Sequence, residues 1–273
     1  MRLAALLLVP ALAASAPPPG YELDWADEFD GADWSRERWV LRPLGADAAP
    51  VRAEAVRVSD GKLHLDCRRL ADGAVVTGAL AAKPQLDRAF GYYESSARVH
   101  RHNGHHSAFW LQSRLYGRYP GEPARQGVEI EIFEWFGPRL GKDGLPGPSA
   151  LAFNLYWDPY GKDKDGKSLT KSWKYTSERK GANLSRDALG AVNPADRFVT
   201  WGFEWTPEGY AWFVDGKEVW RTSVSVSKVP QYVILSTKAS PWERGLLPLD
   251  QLPDTNSFDY VRVYRRSPPA AGK

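Results

Sequence analysis

Side chains that alternate between polar and apolar along the chain are the feature that most narrows what this sequence can fold into. Lys62 to Cys67 reads polar, apolar, polar, apolar, with a period of two. That period matches a strand with one face buried and does not match a helix. Gly91 to Val99, Ser107 to Gln112, Glu129 to Phe136, Ala150 to Trp157 and Phe198 to Trp205 carry similar patterns, and so do Gln231 to Thr237 and Phe258 to Tyr264. Tyr210 to Val214 and Lys217 to Arg221 flank Asp215-Gly216, a dipeptide that tolerates the two positive φ angles of a type I′ turn, so the pair predicts a hairpin. Only Leu184 to Val192 could wind into a helical turn or two. About ten short strands separated by Gly, Pro and Asp turns predict an all-β sandwich or jelly roll. There is no internal repeat and no second compositional zone. One domain therefore spans residues 21–266, after a Pro-Pro-Pro-Gly linker at 17–20 and before a loose tail at 267–273.

The composition limits the partners. A net charge of +3 without a dense basic stripe argues against nucleic acid. The 12 Trp, 12 Tyr and 10 Phe suit a bulky β core and also supply flat apolar platforms on which sugar rings can stack. The single cysteine, Cys67, excludes an intrachain disulfide and, lying in an alternating strand, reads as a buried thiol. At the N-terminus, Arg2, the apolar run Leu3 to Leu12 and the small residues up to Ala16 have the form of a signal peptide over residues 1–16, too short to span a bilayer. The mature protein is expected to be secreted or periplasmic, without a membrane anchor, and monomeric by default.

The segment Gly127 to Gly137 carries the chemistry. In a regular strand Glu129 and Glu131 share one face and Ile130 and Ile132 the other. The same register would drive Glu134 into the core and Phe133 into solvent, and an unpaired buried carboxylate is costly. One extra residue near Phe133, a β-bulge, resolves the conflict and brings Glu134 onto the open face beside the other two. Three carboxyl groups on one face repel each other, and a purely solvated strand gains nothing from that. A retaining glycosidase needs one ionised carboxylate as nucleophile and one protonated carboxyl as acid, separated by about 5–5.5 Å. The alternative is an amphipathic strand with a charged outer face.

With these blocks in order, the sequence resembles glycoside hydrolase family 16, the laminarinase, agarase and carrageenase group. Glu129-Ile-Glu131-Ile-Phe-Glu134 is similar to the family's E-x-D-x-x-E signature in its bulged form. Residues 25–31, 91–94 and 107–111 resemble its earlier strands, and residues 201–207, 213–217 and 259–264 its closing strands. The resemblance implies a concanavalin-like β-jelly-roll sandwich of two antiparallel sheets with a concave substrate cleft. It implies Glu129 as nucleophile and Glu134 as acid/base. Glu131 stands where the family has Asp, a residue that positions the nucleophile, and is a departure. The implied reaction is endo-hydrolysis of a β-linked polysaccharide, with a β-1,3-glucan first. A β-galactan of the agarose or carrageenan type, or a carbohydrate-binding jelly roll with weak turnover, is the alternative.

Strand parity extends the site. Trp110 and Gln112 should face the cleft while Phe109 and Leu111 enter the core, and Asn154 and Tyr156 should face the sugar. Trp135 and Trp242 are candidate rim platforms, and His105, in a histidine-bearing loop before the cleft strand, a candidate subsite contact. No cofactor is expected for catalysis. Family members often hold a structural calcium, and Glu28 and Asp259 fall at matching positions. Residues 162–180 contain seven Lys or Arg against three Asp or Glu, which reads as a solvated insertion or as a contact for an anionic galactan.

Overall fold

The computed structural model describes residues 17–137, 150–179, 183–240 and 247–267. The signal segment, Trp242, Lys180 and the tail from residue 268 lie outside the described residues.

Two antiparallel sheets form the fold. Among the described residues the back sheet has nine strands: β1 (Tyr21–Asp27), β3 (Val56–Ser59), β4 (Lys62–Arg69), β5 (Val75–Thr77), β7 (Gly91–Arg98), β12 (Val199–Thr206), β13 (Gly209–Val214), β14 (Lys217–Thr222) and β16 (Asp254–Arg266). The cleft sheet has seven, in spatial order β11 (Lys171–Lys174), β10 (Ala150–Trp157), β9 (Glu129–Phe136), β8 (His106–Ser113), β15 (Gln231–Lys238), β6 (Ala79–Ala82) and β2 (Trp39–Leu41). The expected jelly-roll sandwich is thus present, with β9 near the middle of its sheet.

More strands form than alternation alone reveals. β2, β3, β5 and β11 are three or four residues long, too short for a period of two to register. The Asp215-Gly216 turn takes the expected positive φ angles of 48° and 77°. Asp60-Gly61 does the same between β3 and β4, at 53° and 65°, a hairpin the sequence reading passes over. Leu184–Leu189 forms the expected short helix, α3 in chain order after α1 (Pro123–Gln126) and α2 (Tyr175–Glu178). The insertion at 162–180 is more ordered than a solvated loop: it supplies β11, which pairs with β10 through Leu155 and Trp173.

Aromatic side chains fill the space between the sheets. Phe133 from β9 packs on Trp201 from β12, with ring centroids 4.6 Å apart, and Phe153 from β10 stacks on Trp212 from β13 at 6.2 Å. Several buried indoles find acceptors, as most polar groups out of water do. Trp205 donates to the Ser227 carbonyl at 3.0 Å and Trp39 to Asp27 at 2.7 Å. Cys67 is a buried thiol outside any disulfide, as expected. Gly127, which leads the chain into β9, has a φ of +88°, and a Cβ there would sit 2.2 Å from that of Ser113. Only glycine lets the chain turn so tightly against β8 before the first glutamate.

The proposed calcium donors do not form a donor set. Glu28 gives both carboxylate oxygens to Arg262, at 2.8 Å each, and Asp259 pairs with Lys62 at 3.1 Å. Each carboxylate is already neutralised by a basic side chain, and no group of three His, Cys, Asp or Glu among the described residues could hold a metal. The residues present do not fit the ion.

Candidate active site

The bulge deduced from parity is real, and it creates the site. Across from β8, Phe133 pairs with Phe109 and Glu131 with Trp110, so Ile132 is the extra residue. Across from β10, Glu134 pairs with Ala152 and Glu131 with Asn154, leaving Ile132 and Phe133 opposite Phe153 alone. Ile130, Ile132 and Phe133 are all buried in the core. The extra residue interrupts the ladder, and the Trp212 indole reaches across from the back sheet to the Glu131 carbonyl at 2.9 Å. Glu129, Glu131 and Glu134 consequently line one cleft of about 1070 Å³ together with Trp110, Gln112, Asn154 and Tyr156.

Each glutamate has a different environment. Glu129 is buried; Gln112 donates to its Oε2 at 2.7 Å and the Tyr160 hydroxyl donates to its Oε1. Burial pushes its carboxyl from 4.5 up to about 7; the Tyr160 bond opposes that, Glu134 adds to it, and Gln112 and Lys238 oppose it. The rise corresponds to roughly 3 kcal/mol against ionisation. Glu134 is half-buried, and Asn154 donates to its Oε2 at 2.7 Å, while His106 Nε2 lies 3.9 Å from its Oε1.

Glu131 is buried, and its Oε2 has no hydrogen-bond partner among the described residues. Burial, then Glu134 and Glu129, hold its carboxyl well above the usual range. Such a group binds its proton more tightly in the folded chain. It therefore favours folding at low pH, and that contribution is lost as the pH rises above the unfolded value of 4.5. Glu131→Gln removes the loss. Thermal melts should show the variant at least about 3 °C more stable than the parent at pH 8, with the gap closing at pH 4; equal gaps at both would exclude a protonated Glu131.

Two expected contacts are corrected. Trp135 is no rim platform: it is buried, and its indole donates to the His100 carbonyl at 3.2 Å. Once the bulge has turned Glu134 outward, its neighbour must turn inward. His105 is also buried away from the cleft, with Nε2 3.1 Å from Asp254, which accepts from the His102 amide at 2.6 Å as well. His106, one residue on, lines the cleft in its place. Trp110 forms part of the cleft lining and is fixed by a 3.1 Å bond to Ser236. Gln112 lines the cleft as expected but is spent on Glu129.

Sequence reasoning missed Arg42, Tyr160, Lys174 and Lys238, all of which line the cleft. Lys238 had a signal, since it pairs with His106 at the end of β15. Arg42 follows the three-residue β2, and Tyr160 lies in a Pro-Tyr-Gly turn, where parity says nothing.

The model of the family described as Glycosyl hydrolases family 16 matches residues 51–262. The chain belongs to glycosyl hydrolase family 16. Among curated relatives, this family 16 chain is 26% identical over 147 residues to a xylanase/β-glucanase of Ruminococcus flavefaciens, which covers 54% of the chain but only 14% of that enzyme. Among solved structures, it superposes on SCLam, a non-specific endo-β-1,3(4)-glucanase, with a TM-score of 0.65 and 22% identity, covering 92% of this chain and 94% of the other. It superposes on a κ-carrageenase of Zobellia galactanivorans with a TM-score of 0.67 and 19% identity, covering 93% and 98%. At those identities the two structures establish the fold of this family 16 domain.

Proposed function

We propose that the chain is an exported, endo-acting, retaining hydrolase of β-linked polysaccharide, with a β-1,3-glucan as its first substrate. The observation that carries this is the bulged strand, which sets a doubly hydrogen-bonded Glu129 and a half-buried Glu134 in the same cleft. Family membership and the glucanase relatives support the substrate class. The short apolar leader at residues 1–16 supports export.

In the first step a Glu129 carboxylate oxygen bonds to the anomeric carbon as the glycosidic C–O bond breaks. The departing oxygen takes the bonding pair and the Glu134 proton. Water then attacks the same carbon and gives its proton to Glu134, and the ester oxygen leaves with its pair to restore Glu129. Two inversions give net retention.

A second reading is a sulfated or otherwise anionic galactan. Lys174 and Lys238 line the cleft, and the similar fold of a κ-carrageenase is compatible with it. Laminarin, lichenan, agarose, porphyran and carrageenan form the deciding panel, with product mass and the initial anomer read by proton NMR. Release of β-anomeric oligosaccharides from laminarin is the expected result. Release from carrageenan alone would select the second reading, α-anomers would exclude retention, and tight binding without any product would identify a binding module.

A further inference from the structure

Each Glu129 carboxylate oxygen is engaged by a donor that neither of the other two glutamates supplies. On Oε2 the donor is the Gln112 side-chain amide, at 2.7 Å. The orientation of that amide is determined by its other end. Gln112 Oε1 faces Arg42 Nη2 at 2.9 Å and the Tyr232 hydroxyl at 2.9 Å. A guanidinium can only donate, so the atom facing Arg42 must be the carbonyl oxygen, and the NH2 group is left pointing at Glu129. Gln112 and Tyr232 are both buried and sit opposite each other across β8 and β15. On Oε1 the donor is the Tyr160 hydroxyl. Tyr160 is 61% exposed, so burial of its ring does not explain its placement. The Tyr116 ring lies 5.9 Å away and backs it. The ring is exposed but the hydroxyl end reaches into the cleft, where desolvation and the Glu129 carboxylate hold it far above the ordinary phenol range, so it donates at every working pH. Glu131 Oε2 has no hydrogen-bond partner among the described residues, so that oxygen does not hold Glu129.

We propose that Tyr160 and Arg42 are positioning residues that grip the Glu129 carboxylate from two sides, Tyr160 directly and Arg42 through Gln112. A carboxylate oxygen carries more than one acceptor site, so a gripped oxygen keeps a lone pair for attack. Both bonds favour the ionised form and hold the carboxylate in one rotamer, which shortens the search for the reactive geometry. The inference rests on the role given to Glu129 above.

The test uses Tyr160→Phe and Arg42→Met in the full chain, each checked for an unchanged melting temperature within about 3 °C. Two readouts are taken: the pH dependence of kcat/KM on the best substrate of the panel, and titration of the Glu129 carboxyl by carbon-13 NMR, which needs no turnover. In the parent both should report a midpoint of about 7. In each variant the midpoint should rise by roughly one pH unit, and kcat should fall about tenfold or more with KM changed less than about twofold. Tyr160→Phe with a higher kcat/KM would make Tyr160 an obstruction to substrate and overturn the proposal. An unmoved midpoint in either variant would overturn the two-sided grip. If those midpoints stay put while Glu129→Gln is inactive, only the grip fails. If Glu129→Gln remains active, the role of Glu129 and the grip fall together.

Discussion

Glu129→Gln is expected to lower kcat on the preferred polysaccharide by on the order of 10^4-fold or more while leaving binding of that polysaccharide within about threefold of the parent. Loss of a catalytic nucleophile removes the low-barrier path altogether, and what remains is the catalysis that positioning and the other groups provide. Glutamine keeps the shape of the side chain and can accept from Gln112 at its carbonyl oxygen while its NH2 faces the Tyr160 hydroxyl, which can turn to accept, so the cleft should not collapse. In Glu129→Ala, which opens the space the carboxylate filled, added azide should restore turnover and yield a glycosyl azide of inverted configuration, because the small anion attacks from the side the nucleophile occupied. A variant that keeps more than about a tenth of the parent's kcat would remove Glu129 from the reaction.

The second large effect belongs to Glu134. Glu134→Gln should reduce kcat on polysaccharide by about 10^2 to 10^4-fold, the usual range for a lost general acid/base. The loss should depend on the leaving group. An aryl glycoside that departs as a stable phenolate needs no proton, so its first step should proceed near the parent rate and a covalent glycosyl-enzyme should accumulate. Intact-protein mass spectrometry would show the added sugar. An equal loss on aryl and natural substrates would argue that Glu134 shapes the cleft and transfers no proton. Asn154, which donates to Glu134 at 2.7 Å, keeps its side chain in either form.

Parity made much of this legible. The conflict between Ile132 and Glu134 could be read from six residues, because a buried carboxylate and an exposed phenylalanine in one strand are costly together. The register around Ile132 is the physical answer. The same reasoning, carried one residue further, would have placed Trp135 inside, and run backwards from Trp110 it would have chosen His106 over His105. Those two errors came from stopping the alternation at the edges of the motif. Arg42 and Tyr160 are different. Each reaches Glu129 or its partner from outside a long strand, and their contacts arise from how the ends of distant elements meet over the cleft. Nothing in local periodicity encodes that. Glu28 and Asp259 make poor cation ligands for a related reason: they are acids in the right places, but Arg262 and Lys62 already pair with them.

The pairing of the first and last strands of the domain has a consequence beyond the sandwich. Tyr21 lies opposite Arg266, so the polypeptide enters and leaves the fold at neighbouring points on one sheet. A domain built this way behaves like a bead with both holes on one side. It can be threaded between other modules, or spliced into a loop of one, without stretching the linker or disturbing the cleft on the opposite sheet, and its ends can be joined by a short peptide and reopened elsewhere.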